Sequence, residues 1–384
     1  MQRRHIQPLR KFLSRILILN RELLDNEEAM KKMNSKERVL TAISHKIPDR
    51  VPCNYLGTPE IDDKLISYFG VSSVDELLNC LGVDIRVIDS PYIGPELKKW
   101  PDGRFENFWG QIRKPIKNEA GSYFESVEFP YAEFKSVSDV ERFRWPRPEW
   151  FDVSSISSGC DKYKDYAIIY GSPGNMDLIN GISFGRGVEQ FLFDIATEDP
   201  VGVACIEKRF EICYCRTEQA MKAGRGKIDI LWIGDDYGSQ NGLLMHPKIW
   251  RKLFFPKLKA MCDLAHQHGA KLMLHSCGST RIIWQDFIEA GVDIYDTIQP
   301  EAAGMNPASL KAEFGDRICF HGTISTQKTL PFGTPDDVRA EVLERIATVG
   351  KGGGFVLAPA HNIQPDTPLE NILAMYSCVT GKKI

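Results

Sequence analysis

The 384-residue chain is 43% hydrophobic and carries a formal net charge of -3, enough for one large domain or two smaller ones and without the basic excess of a nucleic-acid binder. No apolar run approaches the ~20 residues that a membrane helix needs. Its ten cysteines are too dilute for a disulfide scaffold and read as reduced thiols of a cytoplasmic protein, with metal or catalytic use open to a few of them.

The first residues are basic and then mixed. Their apolar stretch FLSRILIL contains Arg15 and lacks a small-residue cleavage site, so it makes a poor secretory signal. The globular pattern starts at MNSKERVLTAISHKIPDRVP. Residues 1–33 are therefore read as a mobile N-terminal extension, or as the product of an upstream start codon, and residues 34–384 as one domain.

Along that domain, short β-rich runs alternate with helical patterns. The runs are residues 50–57, 84–90, 166–172, 230–236, 271–277, 293–299, 318–323 and 354–360. Several are almost continuously apolar, as parallel strands covered on both faces are. Helical patterns span 186–224, 246–269, 280–290, 307–314 and 335–350, the last with Thr334 as N-cap, Pro335 at the first helical position and Asp336 and Asp337 in the first turn. Eight strands alternating with helices predict an α/β fold, a (β/α)8 TIM barrel. Residues 97–160 break the rhythm. The alternation on either side of KNEAG predicts a β-hairpin insertion after strand 2, anchored to the barrel by Trp100, Trp109, Trp145 and Trp150.

In such a barrel the reacting groups sit where strands end. The predicted ends carry Asp89, Ser172, Asp235 with Asp236, His275 with Cys277, Gln299 with Glu301, His321 and His361. Within LMLHSCGS, His275 and Cys277 share a face if the strand runs through both, and imidazole with thiolate suits zinc. A solvated histidine beside a buried thiol is the bland alternative. His361, in APAHNIQPDTP, is a third donor on the same rim. The fourth position is left to water, to substrate, or to an oxygen of Glu301, Gln299 or Asp236. Cys53 and Cys319 read as core. Cys213 and Cys215 lie two apart in a helical pattern and so do not share a face. No GxSxG elbow and no GxGxxG entering a helix is present, and GKGGGF precedes a strand rather than a helix. Asp235 and Asp236 are consecutive, so they cannot both point into the mouth; one is expected to be catalytic or substrate-binding and the other to cap the following loop.

These residues, together with SKERVLTAISHKIPDRVP, GDDYGSQNGLLMHPKIWRKLFFP, LHSCGS, DRICFHGTISTQKTLPFGTPDDV and GGFVLAPAHNIQPDTPLENILAMY, make the chain from about Asn34 to the C-terminus resemble the uroporphyrinogen decarboxylase superfamily. The resemblance implies the same barrel. It also implies one of two chemistries. The decarboxylases of that superfamily look metal-free, with an arginine-rich loop after strand 1 and a catalytic aspartate at an early strand end. Here the loop reads CNYLGTPEID, without arginine, although Asp89 stands where such an aspartate would. The corrinoid-linked methyltransferases look like zinc enzymes with a His-x-Cys pair and a cysteine in a Pro-x-Cys turn after the last strand. His275 and Cys277 match; at the third position Pro359-Ala360-His361 puts histidine in place of cysteine.

The expectation is thus a zinc-dependent methyltransferase-like enzyme. It transfers methyl between a small-molecule substrate and a corrinoid cofactor on a partner protein. Zinc is held by His275, Cys277, His361 and Glu301. Asp235, Asp236 and His321 handle protons or orient substrate, which Asp89, Gln299 and Asn362 bind. The alternatives are a cofactor-free decarboxylase of uroporphyrinogen or a related carboxylated substrate, and a non-catalytic corrinoid or metal carrier.

Overall fold

Apolar runs of five or so residues, rich in Ile, Leu and Val, become the strands of one curled parallel sheet in the computed structural model, which describes residues 32–118 and 121–384. The extension predicted for residues 1–33 falls almost wholly on residues 1–31, outside the described residues. In chain order the strands are β1 (Ile85–Ile88), β2 (Phe105–Glu106), β3 (Ile112–Asn118), β4 (Gly121–Glu128), β5 (Ala167–Met176), β6 (Ile230–Gly234), β7 (Lys271–His275), β8 (Ile294–Ile298), β9 (Cys319–Ile324) and β10 (Phe355–Pro359). Seven of them form the large sheet in the order β1-β5-β6-β7-β8-β9-β10, every pairing parallel. Helices connect consecutive neighbours, as parallel pairing demands.

The predicted first strand, residues 50–57, is reduced to isolated parallel bridges, Cys53 to Leu357 and Gly57 to Ile363. It nevertheless bonds to both edges of the sheet. Leu357 N–H donates to Pro52 and Asn54 N–H to Leu357 on one side, at 2.9 Å each, and Asp84 N–H donates to the Cys53 carbonyl at 3.0 Å on the other. Between β1 and β5 the chain carries a separate antiparallel sheet, β2-β3-β4. Trp109 and Trp145 are buried beside it, whereas Trp100 and Trp150 are only half-buried.

Two predicted helices are broken. The 186–224 pattern resolves into Leu178–Arg186, Val188–Thr197 and Pro200–Gly224. Gly187 at φ +85° and Glu198 in the left-handed region end the first two, and Asp199 caps the third ahead of Pro200. The 246–269 pattern splits at Phe254, just before Pro256. The N-terminal capping box at Thr334 forms as its sequence suggests. The helices Ser35–Ile43, Pro59–Phe69, Val74–Leu81 and Leu369–Thr380 lay outside the helical patterns read from the sequence. Among the described residues no helix is long and apolar enough to cross a membrane.

Side chains alternate across each strand, and the sheet uses both faces. The outward set, including Leu231, Ile233, Leu272, Leu274, Tyr295 and Phe320, packs under the helices. The inward set forms a second apolar cluster of Ile85, Ala167, Ile169, Ile230, Trp232, Met273, Ile294, Cys319 and Val356, closed at one end by Val39 and Ile43 of the first helix. Two residues further along three of these strands, on the same inner face, stand His275, Asp296 and His321.

Candidate metal centre

His275 ends β7, and its ring is 6% exposed. The strand does not run on to Cys277, so strand alternation is not what aligns the two donors. A turn does that. Gly278 sits at φ +78°, and a Cβ there would lie 2.6 Å from the backbone of Gly238, so only glycine lets the two segments pass so closely. Cys277 N–H donates to Asp236 Oδ1 at 2.8 Å, Gly278 N–H to Gln299 Oε1 at 2.6 Å, and the Tyr295 hydroxyl to the Ser276 carbonyl at 2.8 Å. The folded-back turn puts Cys277 Sγ 3.4 Å from His275 Nε2.

His361, beyond the end of β10, comes in from across the sheet, its ring centroid 6.0 Å from that of His275. One ligand atom from each of His275, Cys277 and His361 lies within 4.8 Å of the others. Glu301 is not in this group: its carboxylate takes the Ser325 hydroxyl. Two imidazoles and a thiol converging on one point, with no fourth donor joining the group among the described residues, match the donor chemistry of a zinc site that keeps a position open.

The protonation of the group follows from its surroundings. Burial works against a charged His275, but the adjacent Asp296 carboxylate outweighs it and lifts the imidazole well above its ordinary range. Burial raises the Cys277 thiol against the pull of His275. Burial and then the charge of His275 lower His361. Metal binding here must therefore displace protons from His275 and Cys277.

Beneath these three side chains lies a residue that the strand-end reading passed over. Asp296, mid-way along β8 and 0% exposed, accepts from His275 Nδ1 through Oδ2 and from His321 Nδ1 through Oδ1, both at 2.7 Å. Burial alone would raise its pKa, yet His321 and His275, one on each carboxylate oxygen, hold it below the usual carboxylate range. The signal was present in the alternation: a polar residue two positions after an inner-face Ile in DIYDTI.

The other predicted site residues differ in burial and in partners. His321 is fully buried, with one ring nitrogen on Asp296 and the other 3.1 Å from Asn54 Nδ2, so both of its ring nitrogens are taken up within the protein. Asp235 is 1% exposed and caps Ile179 N–H at 2.8 Å, at the start of an earlier helix rather than in the following loop. Burial, and then the charge of Asp177, lift it well above the carboxylate range. Asp236 is the one facing the site, with Oδ1 3.8 Å from His275 Nε2 and Oδ2 held by Asn180 at 2.9 Å. Asp89 points outward, 65% exposed, in an ion pair with Arg216 at 3.1 Å. Gln299 holds the turn through Gly278 N–H. Asn362, next to His361, is half-buried.

A protein-family profile described as "Uroporphyrinogen decarboxylase (URO-D)" matches residues 178–381, more than half of the chain. Among curated proteins, a methylcobamide:CoM methyltransferase, MtaA, from Methanosarcina barkeri is 32% identical over 147 residues, 38% of this chain and 40% of the relative. A uroporphyrinogen decarboxylase from Psychromonas ingrahamii is 39% identical over 64 residues, 17% of this chain and 18% of the relative. The match thus spans well under half the length of either relative. Among solved structures, a methyltransferase from Methanosarcina mazei superposes with a TM-score of 0.64 at 20% identity, covering 91% of this chain and 99% of its own; at that identity the likeness is one of fold.

Proposed function

The chain belongs to the uroporphyrinogen decarboxylase (URO-D) family, and on that premise we propose that it is a zinc-dependent methyltransferase. It exchanges a methyl group between a small substrate and a corrinoid carried by a partner protein. The observation that carries the reading is the convergence of His275, Cys277 and His361 within 4.8 Å. The corrinoid part rests on the MtaA relative, a methylcobamide:CoM methyltransferase.

His275, Cys277 and His361 would hold the metal. When bound, zinc supplies Lewis-acid chemistry, which lowers the pKa of a thiol or polarises an oxygen or nitrogen leaving group. The chain's own groups do the rest. Asp296 orients His275, and Asp236 holds the Cys277 backbone while leaving a carboxylate beside His275, where it can take or return a substrate proton. Asn362 neighbours the third ligand and is placed to contact substrate. With two imidazoles and one thiolate, the site is less electron-rich than one with two thiolates, which favours activation of methoxy or amine substrates as well as thiols.

The decarboxylase reading has less support. An exposed aspartate paired with arginine, as Asp89 is, stabilises developing charge poorly, because solvent already screens it. We also read residues 34–384 as one (β/α)8 barrel in which residues 52–57 supply the eighth strand and the β2-β3-β4 sheet is an insertion after the second. The backbone bonds from residues 52–54 to both sheet edges support this. A cytoplasmic location fits ten cysteines that are all free.

Metal analysis of protein purified without added metal tests the proposal: about one zinc per chain is expected. A zinc-free protein that turns over uroporphyrinogen at an enzyme-like rate, roughly 1 per second or more, would sink it in favour of the decarboxylase.

A further inference from the structure

We propose that Asn54 is a positioning residue for the metal centre: by fixing the tautomer of His321 it keeps Asp296 an acceptor for the Nδ1–H of His275, whose Nε2 faces the cluster. The inference rests on the zinc reading above and adds to it a device that extends to the far edge of the sheet.

Asn54 is 3% exposed and lies in the segment that bonds to β10. Its backbone is clamped, N–H donating to Leu357 and carbonyl accepting the Tyr376 hydroxyl, both at 2.9 Å. The orientation of its amide is also decided. Oδ1 accepts Tyr55 N–H at 2.8 Å; turned over, the amide would set donor against donor there. Nδ2 therefore faces His321 Nε2, 3.1 Å away.

The rest follows by hydrogen-bond logic. Facing a donor, His321 Nε2 must accept, so the imidazole proton is on Nδ1 and is donated to Asp296 Oδ1 at 2.7 Å. Asp296 is then acceptor-only, and its other oxygen takes His275 Nδ1–H at 2.7 Å. That leaves Nε2 as the only nitrogen of His275 free to ligate, and it is the one 3.4 Å from Cys277 Sγ. Because Asn54 offers a donor, the His321 proton that faces Asp296 sits on Nδ1, and Asp296 keeps its other oxygen for His275 Nδ1–H. An acceptor at position 54 would reverse this. His321 would carry a proton on Nε2, and would either face Asp296 with a bare nitrogen or become an imidazolium that shares the carboxylate's charge.

The test uses the full chain, metal-free, with 15N-labelled histidine, and reads tautomers by long-range 1H–15N NMR, with His321 identified by its loss in His321→Gln. Wild type is expected to show His321 protonated at Nδ1 and bare at Nε2. Asn54→Asp, the isosteric change of donor to acceptor, should place a proton on Nε2 and weaken zinc affinity by about 10–100-fold, the usual cost of a lost outer partner, measured against a competing chelator. His321 protonated at Nε2 in wild type overturns the relay, and this reading does not depend on whether the variant folds. A folded Asn54→Asp chain with unchanged zinc affinity overturns it too. A wild-type chain that takes up no zinc overturns the metal reading, and with it the role of the relay, whatever tautomer His321 shows.

Discussion

His361 reaches the cluster from a different strand end than the other two ligands, so its removal separates metal binding from folding. His361→Ala should lower zinc affinity by more than the ~10–100-fold that an outer partner is worth, while the thermal unfolding midpoint of the metal-free chain stays within a degree or two. His361→Cys should retain zinc. Full occupancy of His361→Ala under chelator competition would mean that another residue completes the set. Asp177 offers a second test at this scale. Its Oδ1 is buried without a partner, and burial, against the pull of Arg209, lifts its pKa to about 6. The folded chain thus binds this proton more tightly than the unfolded one, whose pKa is about 3.9. The stabilisation that results is complete below about pH 4 and is lost as pH rises through about 6. Asp177→Asn, which tolerates the left-handed φ of +31°, should therefore stabilise the protein by about 1–3 kcal/mol at pH 8, the shift converted at ~1.4 kcal/mol per unit, with no gain at pH 4. A gain independent of pH in chemical denaturation would show that Asp177 is ionised throughout.

At the scale of elements, the turn after β7 determines whether a His-x-Cys pair becomes a ligand pair. Its backbone donors are taken up by Asp236 and Gln299, both from strand ends on either side, so the turn is held from its neighbours rather than by its own sequence. Gly278→Ala forces a Cβ into the Gly238 backbone at a positive φ. It should cost about 1–3 kcal/mol or more of stability, and it should weaken zinc binding even in the folded fraction. Intact affinity by calorimetry would show that the thiol is placed without the turn.

For the whole molecule, the inner face of the curled sheet is layered: an apolar plug below, and the His275–Asp296–His321 layer directly above it. Met273, one side-chain step below His275, is 1% exposed. Met273→Ala should lower unfolding free energy by ~2–5 kcal/mol through the cavity it leaves, seen as a lower urea midpoint. It should also loosen the polar layer, so the zinc-loaded protein should recover part of the loss. Equal losses with and without zinc would mean that plug and site are uncoupled.

The alternation of apolar runs and helical patterns follows from local chemistry, and it is enough to read the parallel α/β sheet, the cap at Thr334 and the three donor side chains that converge, because strand periodicity and donor type are properties of short segments. Asp236 was legible as one of a pair, though not which of the two faced the site. Asp296, Asn54 and the outward turn of Asp89 were not read. A charged residue inside an apolar strand has the same appearance whether it is capping, paired or catalytic until the neighbouring strands are placed in register. Glu301, just beyond the end of the strand beside that of His275, bonds to Ser325 instead. What the sequence determined is seven of the eight predicted strands and the donors near their ends. What the tertiary structure decided is which donors meet, because the curl of the sheet and the close passage of Gly278 past Gly238 bring together residues separated by up to 86 positions, from His275 to His361, and no local pattern encodes that distance.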